Sequence, residues 1–418
     1  MKLLRPCTWL LLVLPVCCLA NADDWHFGGF GTAGIAHSDN DQADYRADNP
    51  FAPKGPGRSA AWDPGLDSKL GVQLEGQLSS NWSAVVQLVS ERRTDASWTP
   101  QFEWANLKYQ ITPQWRASFG RVMAPVLMMS DWRKVGYAQI MVRPPAEVYT
   151  LNPITNLDGV DLEYRGTLGN LGIQAKAEYG TTHLRMNTPS RTQDYKALPI
   201  LLGRVNLEYG GSTFSLSGMH VEFDGSADYY TLQSNMLQAL ISAGVPGAQQ
   251  VQDNFIYRHA KAQNIALGYL YDRDQWQLRS EFFHNHSQGN VYADYSGWYV
   301  ASGYRLARFT PYLSYARVWN TEQYHWPTLD SSGLSPQLAA MAQAVNAITR
   351  GVERGAYGQH TWTTGVRWDP VEKLAVKLQM EFIDKNANSS SLFVNTPSQF
   401  VTDRVRVKLF SATLDFIF

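Results

Sequence analysis

The chain has 418 residues, 17% charged and 44% hydrophobic, with 36 basic and 37 acidic side chains and a formal net charge of −1. So even a balance makes no case for a nucleic-acid partner, and any charged ligand must be read from local clusters. The three cysteines, Cys7, Cys17 and Cys18, all stand at the start, so the body of the chain holds no disulfide framework, thiolate metal site or catalytic thiol.

Lys2 and Arg5 precede an apolar stretch from Trp9 to Leu19 that ends in Ala20, Asn21 and Ala22. A basic start, an apolar centre and an A-x-A end read as a secretory signal peptide over residues 1–22, with the mature chain starting at Asp23. Lipidation is not expected, because Val16 rather than a small residue precedes Cys17. Beyond Ala22 no apolar run reaches the roughly 18–20 residues of a membrane helix, and the mean hydropathy is −0.30. An exported chain of this hydropathy can still cross a membrane as a barrel, since each strand spends only alternate residues on lipid.

An opening strand covers about His26 to His37. From Lys69, the apolar Leu70, Val72, Leu74 and Leu78 alternate with Gln73, Glu75 and Gln77, a period of two that sorts the side chains onto opposite faces. A turn at Ser79–Asn81 leads into Trp82 and a strand reaching about Glu91. The same hairpin grammar recurs, with tight turns around 112–114, 168–170, 210–212, 272–274, 306–307 and 369–372. Seven hairpins with an opening and a closing strand predict an all-β fold, a transmembrane antiparallel up-and-down β-barrel of 16 strands forming one domain over 23–418. Trp82, Tyr109, Trp115, Tyr209, Tyr271, Trp276 and Trp368 gather near the short turns, as an aromatic girdle at headgroup level does. A soluble sandwich seldom alternates short and long connections in this way. The longer connections fall at about 38–66, 93–100, 122–157, 181–199, 224–260, 286–296, 319–359 and 386–401.

Lumen positions follow from parity with lipid-facing neighbours. Trp115, Ala117 and Phe119 send Arg116 inward; Val160, Leu162 and Tyr164 send Asp161, Glu163 and Arg165; Ile173, Ala175 and Ala177 send Gln174, Lys176 and Glu178. Likewise Val205, Leu207 and Tyr209 place Arg204, Asn206 and Glu208 inside, Trp276 and Leu278 place Arg279 and Glu281, and Val376, Leu378 and Met380 place Lys377, Gln379 and Glu381. A lumen so charged holds water, and its interspersed acids and bases argue against strong selectivity for a single anion.

Two long connections contain helix-like stretches, Tyr230 to Val245 and Ser335 to Ile348. They read either as a lid at the mouth or as helices packed on the rim. His284 and His286 share a strand face but have no third ligand nearby. The first connection carries Asp39, Asp41, Asp44 and Asp48 without EF-hand spacing. They read as an acidic hydrated loop, the rival reading being a site for calcium or lipopolysaccharide-bridging cations. No G-x-S-x-G, H-E-x-x-H or glycine-rich phosphate loop occurs, so no enzyme, cofactor or metal site is expected.

The chain ends with Phe410, Ala412, Leu414, Phe416 and Phe418 alternating with Ser411, Thr413 and Asp415. Val405, Val407 and Leu409 have the opposite phase, for which a bulge near Leu409 is the expected repair. In an exported protein this ending resembles that of Gram-negative outer-membrane β-barrels, and the chain as a whole is similar to the sixteen-stranded porins. The resemblance implies an outer-membrane location among lipid and lipopolysaccharide, a homotrimer, and recognition of Phe418 by the barrel assembly machinery. It also implies a third external loop folded into the barrel to narrow it.

By position that role falls on residues 122–157, where Met123, Met128, Met129, Met141, Pro125, Pro144, Pro145 and Pro153 suit a stiff packed loop. Within it Asp131, Arg133, Lys134, Arg143 and Glu147 are the expected constriction charges, the basic ones raising local anion concentration; the rival reading has Arg133 and Lys134 facing water or paired with Asp131. The expected function is passive diffusion of small hydrophilic solutes or ions. The rival readings are a channel for hydrophobic or carboxylate compounds, a barrel enzyme and an adhesin. Transporters of hydrophobic compounds commonly carry an N-terminal hatch, for which only Asp23 to Trp25 are available before the first strand.

Overall fold

The computed structural model describes residues 25–47, 51–187, 192–225, 227–254, 259–288, 294–322, 325–354 and 356–418. The expected signal peptide lies outside them. Among the described residues 16 long strands form one closed antiparallel sheet. They are β1 (Trp25–Ser38), β2 (Lys69–Gln77), β3 (Trp82–Glu91), β4 (Gln101–Gln110), β5 (Trp115–Met123), β6 (Asn156–Leu168), β7 (Leu171–Asn187) and β8 (Thr192–Tyr209). Then follow β9 (Ser212–Gly225), β10 (Ala260–Arg273), β11 (Trp276–Ser287), β12 (Tyr295–Tyr304), β13 (Phe309–Asn320), β14 (Gly358–Val371), β15 (Leu374–Lys385) and β16 (Val405–Ile417). β1 pairs with β16 from Phe30↔Ile417 to Ser38↔Leu409 and with β2 from Trp25↔Gly76 to Thr32↔Lys69. Closure of this kind satisfies backbone N–H and C=O groups that lipid cannot.

The short turns lie at one end, where tight reversals use positive φ at Gly210 (57°) and Gly211 (85°), angles glycine adopts without strain. Trp82 meets Tyr109 at 4.7 Å, Trp115 meets Tyr164 at 5.0 Å and Trp276 meets Tyr304 at 4.9 Å, an aromatic band at the turn end. Above it Val86, Leu107, Phe119, Val160 and Leu162 stand exposed on the outer face. An apolar belt of this extent suits lipid rather than water. Among the described residues no helix is long and apolar enough to cross a membrane.

Three details differ from expectation. β16 has no bulge: its register with β15 is continuous from Leu374↔Phe416 to Lys385↔Val405. Parity is simply kept, so Val407 and Leu409 point inward and are buried at 1% and 0% exposure while Lys408 faces out. There they share an apolar cluster with Met141, Phe393 and Phe400 of the long connections. Leu409→Ala should therefore destabilise the barrel by about 2–5 kcal/mol and Lys408→Ala hardly at all, as read from thermal midpoints in detergent.

The second difference is that β7 and β8 continue through most of the expected 181–199 connection, pairing to Asn187↔Thr192 with a register shift between Ala197 and Ile200. Here Thr182 and Leu184 are buried while His183 and Arg185 are exposed. The strand has risen above the apolar belt, where the hydrophobic signal of the alternation is lost.

Third, the two loop helices are joined. One helical turn, α1 (Ala146–Tyr149), precedes α2 (Ala227–Ser242), α3 (Ala248–Asn254) and α4 (Pro336–Arg354). Leu237 and Leu240 of α2 share an apolar cluster with Ala342 and Val345 of α4, Trp326 and Leu329, and Asn346 bonds both backbone groups of Leu329 at 2.8 Å. Each helix thus buries its apolar face on the other.

Candidate functional site

The connection from β5 to β6 is bonded to inward-facing side chains around the barrel. Ser217 Oγ donates to the Val126 carbonyl at 2.6 Å, and Met128 N donates to Glu281 at 2.8 Å. Tyr149 and Tyr299 also donate their hydroxyls to Glu281. Lys377 Nζ donates to the carbonyls of Gly136 (2.7 Å) and Met141 (3.0 Å), and Arg367 to those of Tyr137 (2.6 Å) and Gln139 (2.8 Å). Val142 N reaches Gln379 at 3.0 Å, and Tyr295 reaches the Leu151 carbonyl at 2.8 Å. The wall thus supplies donors for the loop's carbonyls and acceptors for its N–H groups, since buried backbone groups must be paired.

Arg143 and Arg133, expected as constriction charges, are both buried and bonded within the protein. Arg143 is 4% exposed and forks onto Asp67 with two bonds of 2.7 Å while also bonding Glu381 and Ser411. Arg133 is 6% exposed and donates to the Asn152 (2.9 Å) and Tyr149 (2.7 Å) carbonyls of its own loop. Glu147 is likewise buried, accepting from Gln359 at 2.7 Å and from Thr361. Lys134 bridges Glu91 and Glu103; burial alone would lower its pKa, but the two carboxylates hold it above the ordinary value. Asp131 pairs with Arg204 at 3.0 Å and remains 40% exposed.

The remaining wall residues divide in the same way. Glu163 gathers Arg116, Arg165 and Gln174, with the Arg165 side chain 64% exposed. Lys176 contacts Glu178 and Asp161, the latter also bonded by Ser118 at 3.2 Å. Glu208 is exposed near the turns. Arg279 is buried, stacking on Trp132 at 4.9 Å and donating to Gln139 at 3.3 Å. Lys377 meets Asp415 at 3.0 Å, both side chains fully buried. Charges at β14–β16 and β11 are thus engaged with the loop. On β5–β7 Asp161, Glu163 and Glu178 are buried as well, and solvent contact is kept by Arg116 and Arg165, with Glu75 and Lys108 paired at 3.1 Å nearby.

Sequence reasoning missed Asp67, Tyr149 and Arg367. Arg367 was findable, since the outward Trp368 dictates its parity. Asp67 lies in a turn and Tyr149 in the single helical turn α1, and neither has a strand period to signal its direction. The outlying features have local partners: His284 bonds Ser296, His286 bonds Asp294, and Asp44 ties Ser59 to Asn395. Asp48 lies outside the described residues.

Solved structures similar to this chain include the outer membrane channel DcaP of Acinetobacter baumannii, with a TM-score of 0.56, 12% identity and coverage of 94% of this chain and 97% of that one. The anion-selective porin from Comamonas acidovorans gives 0.54, 10%, 94% and 99%, and Salmonella typhi OmpF in complex with daunomycin gives 0.52, 13%, 96% and 100%. The chain therefore has the fold of the sixteen-stranded porins, that of a β-barrel of the Gram-negative outer membrane. No protein family and no curated sequence matches it, so the likeness is one of fold.

Proposed function

We propose that this chain, exported by cleavage after Ala22, is a passive outer-membrane porin for small hydrophilic solutes. Residues 124–155 cross the lumen and leave the water path beside β2–β8. The bonds from Ser217, Glu281, Lys377 and Gln379 to that loop carry the reading, because their strands lie on the wall away from β5 and β6, where the loop begins and ends. Solvent contact at Arg116, Arg165, Glu75 and Asp131 supports a charged passage that limits size and biases entry without a chemical step. A trimer is supported by the trimer form of Vibrio cholerae OmpT, which has a TM-score of 0.53 to this chain. Phe418, stacked 6.3 Å from Phe416, is the proposed signal to the assembly machinery, and lipid with lipopolysaccharide the proposed surroundings.

Single-channel conductance in planar bilayers tests the reading: steps in groups of three are expected, and silence from folded protein would sink it. Arg116→Ala with Arg165→Ala leaves Glu163 facing the path without its two cations. The K⁺/Cl⁻ permeability ratio should then rise roughly twofold or more, read from the reversal potential in a KCl gradient.

A further inference from the structure

On the outer face of β12–β16 a charged row of side chains stands above an aromatic one. In register across the sheet are Trp298, Arg317, His360, Asp384 and Arg406. The next outward row, two residues nearer the turns, is Val300, Tyr315, Trp362, Phe382 and Lys408. Trp362 and Phe382 are exposed, and Tyr315 lies 4.8 Å from Trp362 and 5.4 Å from Trp298, an aromatic band at the end opposite the turns. From Lys408 to Phe418 the strand covers about 34 Å, or about 26 Å of height at a tilt of about 40°. That is the height of the apolar belt of such barrels. The charged row therefore stands at headgroup level on the loop side of the membrane.

Its cations are open to a ligand. Arg317 is exposed and lies over Trp319 at 5.5 Å; among the described residues neither its guanidinium nor the exposed Lys408 Nζ has a hydrogen bond or ion pair. The Arg406 side chain is 82% exposed and donates only Nε to Asp384, at 3.3 Å, which leaves both its NH₂ groups free. Asp384 is already neutralised by Arg404, which forks onto it with two bonds of 2.7 Å. Asp39 and Asp403 flank the group, and Asp39 accepts the Lys408 backbone N–H at 2.7 Å rather than its ammonium. The equivalent row on β8–β11, Leu201, His220, Gln263 and His286, has no lysine or arginine.

These cations form two poles. Three strand spacings part Arg317 on β13 from Arg406 on β16, about 14 Å, with His360 and Asp384 between them. One phosphate is too small to serve both, whereas a disaccharide headgroup phosphorylated at each end spans such a gap. We propose that the outer face of β13–β16 is a docking site for a bisphosphorylated glycolipid. One phosphate sits against Arg406 and Lys408 and the other against Arg317, with sugar hydroxyls over His360 and Asp384 and acyl chains along Trp362 and Phe382. The site rests on the outer-membrane location and not on the pore reading, and it assigns the surrounding lipid a specific place on the wall.

The test uses protein refolded in neutral detergent, free of native lipid, and titrated with bisphosphoryl lipid A, monophosphoryl lipid A or phosphatidylglycerol, the bound lipid being counted by native mass spectrometry. Bisphosphoryl lipid A should bind about tenfold tighter than either of the others. Arg317→Gln, and separately Arg406→Gln with Lys408→Gln, should each weaken its binding about fivefold, to the level of the monophosphoryl form. Lys261→Gln, an exposed outward cation on β10, should leave it unchanged. Bisphosphoryl binding no tighter than that of either other lipid, unchanged binding in either pole variant, or an equal loss in Lys261→Gln overturns the site. KCl conductance of the same proteins separates the proposals: conductance without lipid selectivity removes the docking site alone, and lipid selectivity in a silent channel removes the pore alone.

Discussion

Lys377→Met is expected to destabilise the folded barrel by about 3–5 kcal/mol, because removing one partner of a buried ion pair strands the other charge. Lys377 and Asp415 are both fully buried at 3.0 Å, so water cannot compensate Asp415, which would keep only its bonds from Thr32 and Thr413. The same change frees the carbonyls of Gly136 and Met141, loosening the loop from β15. Lys377→Met with Asp415→Leu should recover most of the loss, since an apolar pair of similar volume removes both desolvated charges. Urea midpoints of the four proteins in detergent complete the cycle. Additive losses in the double variant would show that the two groups are not coupled.

The second large effect is expected at Arg143. Its guanidinium holds Asp67, ahead of β2, to Glu381 on β15 and Ser411 on β16. Arg143→Ala leaves two carboxylates buried side by side at 4% and 6% side-chain exposure, a loss of about 3–5 kcal/mol. If residues 124–155 form the constriction, channels of this variant should also be larger and noisier, because the loop loses its fastening to β15 and β16. Arg143→Lys should restore little, since one ammonium cannot fork onto Asp67 and also reach Glu381. Wild-type conductance and wild-type stability in Arg143→Ala would remove the residue from the loop's support.

Strand parity was legible because a period of two is self-checking. Phe119, Val160 and Leu378 each dictate the direction of their neighbours, and a one-residue error would set Arg116, Asp161 or Lys377 in lipid. It failed where its physical basis ends. Above the apolar belt, His183 and Arg185 face out into water, so the strand there reads as loop. At Val407 and Leu409 the inward face is apolar because loop residues, not water, lie against it.

Helical spacing located α2 to within a turn and the start of α4 to within one residue, while α4 runs on to Arg354, past the expected end at Ile348; an apolar stripe is intrinsic to a helix. What would cover that stripe was open, because the partner lies about a hundred residues away along the chain.

By itself the sequence determined the number of strands, their hairpin order, the lipid-facing side chains and the end at which the turns lie, all from short-range periodicity and turn chemistry. Only the tertiary structure decided that Arg133 and Arg143 are bonded fastenings of the loop, and that α2 and α4 cover each other. Those outcomes depend on segments distant in the chain, as when Arg143 meets Glu381 across 238 residues. Such contacts are set by closure of the whole barrel, and no local pattern encodes them.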